Sequence, residues 1–182
     1  MHPFASLFCV LTIVSEPPSV SIEINPGEDS PYISGPFVLP KDSTYERDIT
    51  LKGDATIDGY LKGEIALRDG MLTINGAVSR DVVIIRGSFL VSGEVEGSLV
   101  ALGSDGVIKG HVNEDVVALG GMIQLDSTAV VDGDLVVILG SMVRDSNAVV
   151  KGDIEKIEAG PFTRWLRGLL NRFIGSEGVR LQ

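Results

Sequence analysis

Short bursts of apolar–polar alternation, punctuated by glycine, run through the chain from Arg47 to Gly160. Alternation with period two predicts strands that bury one face. The bursts also recur as larger blocks. Asp115 to Gly133 (DVVALGGMIQLDSTAVVDG) and Asp134 to Gly152 (DLVVILGSMVRDSNAVVKG) align without a gap, sharing Asp115/Asp134, Val117/Val136, Gly121/Gly140, Asp126/Asp145 and Gly133/Gly152 among other positions. Ahead of them lie four stretches that begin at Arg47, Glu64, Asp81 and Ser98, so the start points up to Asp153 are spaced 17, 17, 17, 17, 19 and 19 residues. A repeat of this length predicts windings that each lie on the one before.

Columns through the alignment are chemically coherent. The second position reads Asp48, Ile65, Val82, Leu99, Val116, Leu135 and Ile154, apolar in every winding after the first. The seventh reads Gly53, Gly70, Gly87, Ser104, Gly121 and Gly140, small residues suited to a corner that needs positive φ. An apolar-x-Gly-x-apolar unit recurs as Ile57/Gly59/Leu61, Ile74/Gly76/Val78, Val91/Gly93/Val95 and Ile108/Gly110/Val112. The expected fold is all-β, a β-solenoid of about six windings and roughly 30 Å in length at ~4.8 Å per winding. The six-residue period of left-handed acyltransferase helices is not met, which favours a right-handed β-helix.

Outside the repeat the pattern changes. Pro161 to Ile174 places Phe162, Trp165, Leu166, Leu169, Leu170, Phe173 and Ile174 at the spacing of one helical face, with Pro161 at the first turn and Gly175 past the end. Its polar face carries Arg164, Arg167 and Arg172 and no acid. Such a helix has three possible fates: covering an open solenoid end, lying in a membrane interface, or docking on a partner. At the other terminus, Phe4 to Val14 (FASLFCVLTIV) is an apolar run led by Phe4, Leu7, Phe8, Val10 and Leu11. A degenerate export signal, a short membrane anchor and a tail packed on its own domain are all open readings. Residues 15–46 hold six of the eight prolines and read as a linker, with one edge strand conceivable over Val20, Ile22 and Ile24. The expected layout is therefore an apolar segment over 1–14, a linker over 15–46, the solenoid over 47–160 and an amphipathic helix with its tail over 161–182.

Composition narrows the chemistry. With 22 glycines and 5% aromatics the chain suits short strands and tight corners. A net charge of −10 argues against nucleic acid as a ligand, and removing the three helix arginines leaves the remainder at −13. Cys9 is alone, so neither a disulfide within the chain nor a cysteine metal site is expected. No apolar run reaches 18 residues. His111 is the one histidine of the repeat region and points outward by alternation, which leaves a histidine-dependent solenoid acyltransferase as the weaker alternative. Asp58, Glu64, Glu94, Asp132, Asp134 and Asp153 flank corner glycines, yet the glycine-rich nonapeptide of calcium-binding β-rolls is absent. No cofactor is expected, and no catalytic triad, phosphate-binding loop or dinucleotide fingerprint sits in a suitable context.

The recurring IDGYLKGEI, VSGEVEGSL and VVKGDI units, six windings of this length, and apolar or proline-rich flanks resemble the bactofilin family of polymer-forming bacterial cytoskeletal proteins. The resemblance covers about Arg47 to Gly160, with the 19-residue windings and the helical tail as departures. It implies a right-handed β-helix that assembles end to end into filaments without nucleotide, often at the membrane. On that footing the expected protein is a non-enzymatic scaffold whose partner is itself, on the inner face of the cell membrane, or exported if the N-terminus is a signal. The expected joining surfaces are Ile49 and Leu51 in the first winding, and Leu135, Val137, Leu139, Ile154 and Ile157 in the last. The competing class is a solenoid enzyme or ligand-binding module.

Overall fold

Three short strands and three corners make one coil of this chain. In the computed structural model, which describes residues 31–158, 22 strands stack into three parallel sheets that run the length of a β-solenoid. The first sheet has eight strands and the other two have seven each, which gives seven coils and the opening strand of an eighth. Coil 1 is Tyr32–Ser34, Phe37–Leu39 and Thr44–Tyr45; coils 2 to 7 open on Ile49–Lys52, Ile65–Arg68, Val82–Ile85, Leu99–Leu102, Val116–Leu119 and Leu135–Ile138, and Ile154–Ile157 begins the eighth. From Arg47 onward these are the windings expected from the repeat. The segments Phe4 to Val14 and Pro161 to Ile174, and the strand considered over Val20 to Ile24, lie outside the described residues.

Coil 1 corrects the linker expected over 15–46 for its described part, residues 31–46. Its strands pair in parallel with those of coil 2, Tyr32 opposite Thr50, Phe37 opposite Ala55 and Thr44 opposite Tyr60. Proline is tolerated here because Pro31 stands just ahead of Tyr32–Ser34 and Pro36 and Pro40 fall between strands, where no ladder donor is required. A second correction concerns phase. Ile49, rather than Asp48, stands opposite Ile65, a step of 16 residues, because the corner after Ile49–Lys52 is one residue shorter than the next. Ala55 opposite Leu72 restores the step to 17.

The small-residue column has a second cause beside the one expected. Gly53 and Gly121 do take positive φ, but a positive φ also falls one residue earlier in most coils, at Asp69, Arg86, Gly103, Gly120 and Leu139. Gly70 and Gly87 are small because a Cβ there would run into the carbonyl oxygen of the glycine one coil below, Gly53 and Gly70 respectively. At Gly70 and Gly87 close approach of stacked backbones selects glycine, while the positive φ is carried by the residue before, Asp69 and Arg86.

The interior is a single apolar column. Ile65, Leu67, Val82, Ile84, Leu99 and Val116 from the first sheet meet Leu72, Ile74, Val91, Ile108 and Ile123 from the second, and Leu61, Val78, Val95, Val112 and Val131 from the third. Each such side chain contributes ~1.5–3 kcal/mol on burial, which is how coils with almost no aromatic residues stay ordered. Large and small residues complement each other across coils: the Phe89 ring occupies the space that a side chain at Gly106 would need.

Candidate functional site

A solenoid offers three kinds of surface: its corners, its flanks and its two ends. The corners are built largely from acids, and their geometry is structural. Asp48, Asp81, Asp115 and Asp134 precede strands of the first sheet, and the Oδ1 of each accepts the backbone N–H of the matching residue one coil on, from Glu64, Ser98, Asp134 and Asp153 at 2.8–2.9 Å. Asp54 and Asp105 do the same at the next corner for Met71 and Met122. Asp58 and Glu94 accept from the side-chain amides of Asn75 and Asn113. These carboxylates tie successive coils together, and among the described residues no group of three or more acids, histidines and cysteines is arranged to hold a metal ion.

Polar chemistry outside the corners concentrates at His111. Its Nε2 lies 2.9 Å from Asp132 Oδ1, and the same oxygen takes a hydrogen bond from Lys151 Nζ at 2.8 Å. Lys151 first and His111 second hold the Asp132 carboxyl below its ordinary value of 3.8. The imidazole faces outward from the third sheet, as alternation predicts, while its neighbour Val112 is in the core. A comparable pair sits at the first-to-second corner. Arg86 Nε donates to Asp69 at 3.0 Å, lowering the pKa of Asp69 and raising that of Arg86.

The ends differ from each other. Ile33, Phe37 and Tyr45 lie half-buried on the core at the N-terminal end, with Phe37 and Tyr45 edge to face at 6.0 Å between ring centres. Among the described residues their strands have one free edge each. At the C-terminal end Met142 and Val150 lie on the core. Two inward positions there carry charge: Arg144 stands opposite the core residue Leu125, and Lys156 opposite Val137. Arg144 turns back to donate to the Ala148 carbonyl at 2.8 and 3.2 Å. Charges at inward positions are a known way to blunt a sheet edge.

The residues expected to join copies are therefore only partly at the ends. Ile49, Leu51, Leu135 and Val137 are buried in the core, because coil 1 covers the first pair and the strand Ile154–Ile157 covers the second. Leu139 is exposed at a corner with φ 54°, and only Ile154 and Ile157 lie on a terminal strand. The apolar residues that lie on the core at the two ends, and that sequence reasoning missed, are Ile33, Phe37, Tyr45, Met142 and Val150. The alternation of Tyr32–Ser34 and Phe37–Leu39 was the signal, masked by three prolines.

The flanks hold one further unforeseen feature. Outward residues of the second sheet, Thr73, Leu90, Val107 and Gln124, are half-buried or exposed. Their counterparts on the first sheet, Val83, Val100, Val117 and Val136, are buried to between 0 and 4% exposure. With Ile85, Leu102, Leu119, Ile138 and Ile157 beside them they form two apolar clusters separate from the core. Among the described residues there is no helix long and apolar enough to cross a membrane. Scans against protein-family models, curated proteins and solved structures return no match for this chain.

Proposed function

We propose that this protein is a non-enzymatic, bactofilin-like scaffold that stacks end to end into filaments. The observation that carries the reading is the pair of open ends on a regular solenoid. Each end presents three strand edges whose N–H and C=O groups have no further strand to pair with among the described residues, beside apolar side chains that rest on the core, with Arg144 and Lys156 the charged exceptions at the C-terminal end. A second copy stacked there continues the ladders at the same ~4.8 Å spacing, satisfying the backbone groups and removing the apolar surface from water. The joining residues are Ile33, Phe37 and Tyr45 at one end, and Met142, Val150 and Ile154 at the other. Heterologous end-to-end contacts of this kind do not close, so they extend into filaments.

Contact with a membrane is assigned to the apolar segment Phe4 to Val14, which carries Phe4, Leu7, Phe8, Val10 and Leu11. The assembly reading does not depend on it. Negative-stain electron microscopy and light scattering of the purified full chain test assembly directly. Filaments are expected for the unaltered protein, and short particles for Phe37→Asp and for Val150→Asp. Particles that remain single for the unaltered protein across the accessible range of concentration and salt would sink the proposal. Co-sedimentation with anionic vesicles tests the membrane contact separately, with loss expected for Phe8→Asp combined with Leu11→Asp.

A further inference from the structure

The outer face of the first sheet is apolar and buried over coils 4 to 7, although all the described strands belong to the three solenoid sheets and none lies across it. Val83 is 0% exposed there. The strands themselves carry the same message. VVII, LVAL, VVAL and LVVI are apolar at every position, the composition of parallel strands covered on both faces, whereas MLTI, SFLV and MIQL of the second sheet mix apolar with polar. We propose that the occupant of this face is the chain's own amphipathic segment Pro161 to Ile174, laid as a helix along the flank of the solenoid and not across its end.

Four features favour this occupant. The first is position. The last strand, Ile154–Ile157, belongs to the first sheet, and Ile157 is itself part of the outer apolar cluster, so Pro161 begins four residues after the chain leaves that face. The second is length. From the strand of Val83 to that of Ile157 is four inter-strand steps, or ~19 Å, and a 14-residue helix measures ~21 Å. The third is pattern. Phe162, Trp165, Leu166, Leu169, Leu170 and Phe173 form one continuous stripe, matched to the double row of Val and Ile/Leu beneath it. The fourth is charge. The corner beside this face carries Asp81, Asp115, Asp134 and Asp153, opposite in sign to Arg164, Arg167 and Arg172 of the segment.

The N-terminal apolar segment is less well placed. It enters from the opposite end of the sheet, where the outward residues are Tyr32, Ser34, Thr50, Lys52 and Arg68, with Ala66 the one small apolar residue among them. Docking on the flank leaves both solenoid ends open, but the inference stands independently of filament formation.

The test uses the full chain with Cys9→Ser. Val117→Cys places one thiol on the covered face, and Gln124→Cys places a reference thiol on the exposed face of the second sheet. Reaction with a small water-soluble maleimide is expected to be at least about tenfold slower at Val117→Cys. Adding Leu166→Asp and Leu170→Asp should raise its rate to that of the reference and shift the emission of Trp165, the single tryptophan, to the red, with the far-ultraviolet β signal unchanged. Equal rates in the otherwise unaltered chain would overturn the proposal. So would protection that survives the two helix substitutions, that is released instead by Phe8→Asp with Leu11→Asp, that disappears on dilution as for a second copy, or that requires added vesicles. Val100→Cys provides the same readout if Val117→Cys does not fold.

Discussion

The 17-residue coils and the 19-residue coils turn the same corner, from the second sheet to the third, by different means. In the shorter coils a single glycine makes the turn. Ser92 and Gly93 both donate to the Ile74 carbonyl, at 2.7 and 3.0 Å, and Glu94 then pairs with Gly76. A Cβ at Gly93 would meet the Gly76 carbonyl oxygen, and Gly76 and Gly110 stand in the same relation to the coils below them. In the longer coils Asp126-Ser127-Thr128-Ala129 and Asp145-Ser146-Asn147-Ala148 replace the glycine turn. The Ala129 N–H bonds back to Asp126 at 2.9 Å, the Asp126 carboxylate accepts from Ser127 at 2.6 Å, and Ala129 and Ala148 place their methyl groups in the core. The ladder beyond the corner is kept in both, since Val130 bonds to Gly110 and Val149 to Ala129. The comparison separates two demands that one glycine meets together: making a turn, and leaving room for the coil beneath.

If that separation is right, the largest effect comes from Gly93→Ala. Both backbones at the collision are held by ladders, so neither yields, and the expected loss is about 3 kcal/mol in urea unfolding. A neutral result would show that the corner is roomier than its spacing indicates. Converting one corner into the other sharpens the point. Deleting Ser127 and Thr128 together with Ala129→Gly leaves Leu125-Asp126-Gly-Val130-Val131, the motif of the shorter coils. The product should fold with an unchanged β signal and a loss of about 2 kcal/mol, mainly the buried methyl group and the added glycine entropy. Failure to fold would mean that Ala148, one coil on, needs Ala129 beneath it.

The smallest effect is electrostatic and also distinguishes the coils. Asp69 of a shorter coil and Asp126 of a longer one both titrate below 3.8 in the native protein, the first mainly through Arg86 and the second mainly through the Ser127 N–H. A lowered native pKa means the unfolded chain binds the proton more tightly. The contribution is therefore complete above 3.8 and is lost as pH falls through the lower native values. Both groups are exposed, so the change in urea midpoint should be slight. Added salt should weaken the acid dependence removed by Asp69→Asn more than that removed by Asp126→Asn, because the charge pair is screened and the backbone bond is not.

The spacing of the windings was legible because stacking forces equivalent side chains into columns, so Ile65, Val82, Leu99 and Val116 announce themselves. Coil 1 was hidden for a local reason. Pro31, Pro36 and Pro40 look like breakers until it is known that Pro31 stands just ahead of a strand and that Pro36 and Pro40 fall between strands. The first end of the solenoid was misjudged as a consequence, since counting from Arg47 made Ile49 and Leu51 terminal when a further coil covers them. The outer face of the first sheet had a signal that was not used. Runs such as Val82 to Ile85 do not alternate, and only the contrast in burial with Leu90 and Val107 shows that a strand can belong to a solenoid and still need cover on both sides.

The register of the coils also says how such a molecule can change size. The strand ladders join each coil only to its two neighbours, and Asp115 to Gly133 repeats in Asp134 to Gly152 with paired strand residues directly above their counterparts. Length is thus quantised: one more copy of the unit lengthens the rod by ~4.8 Å and leaves both ends as they were. The adjacent pair has the form of a tandem duplication that did this once, a growth step in which the gene gains a block and the protein gains a rung.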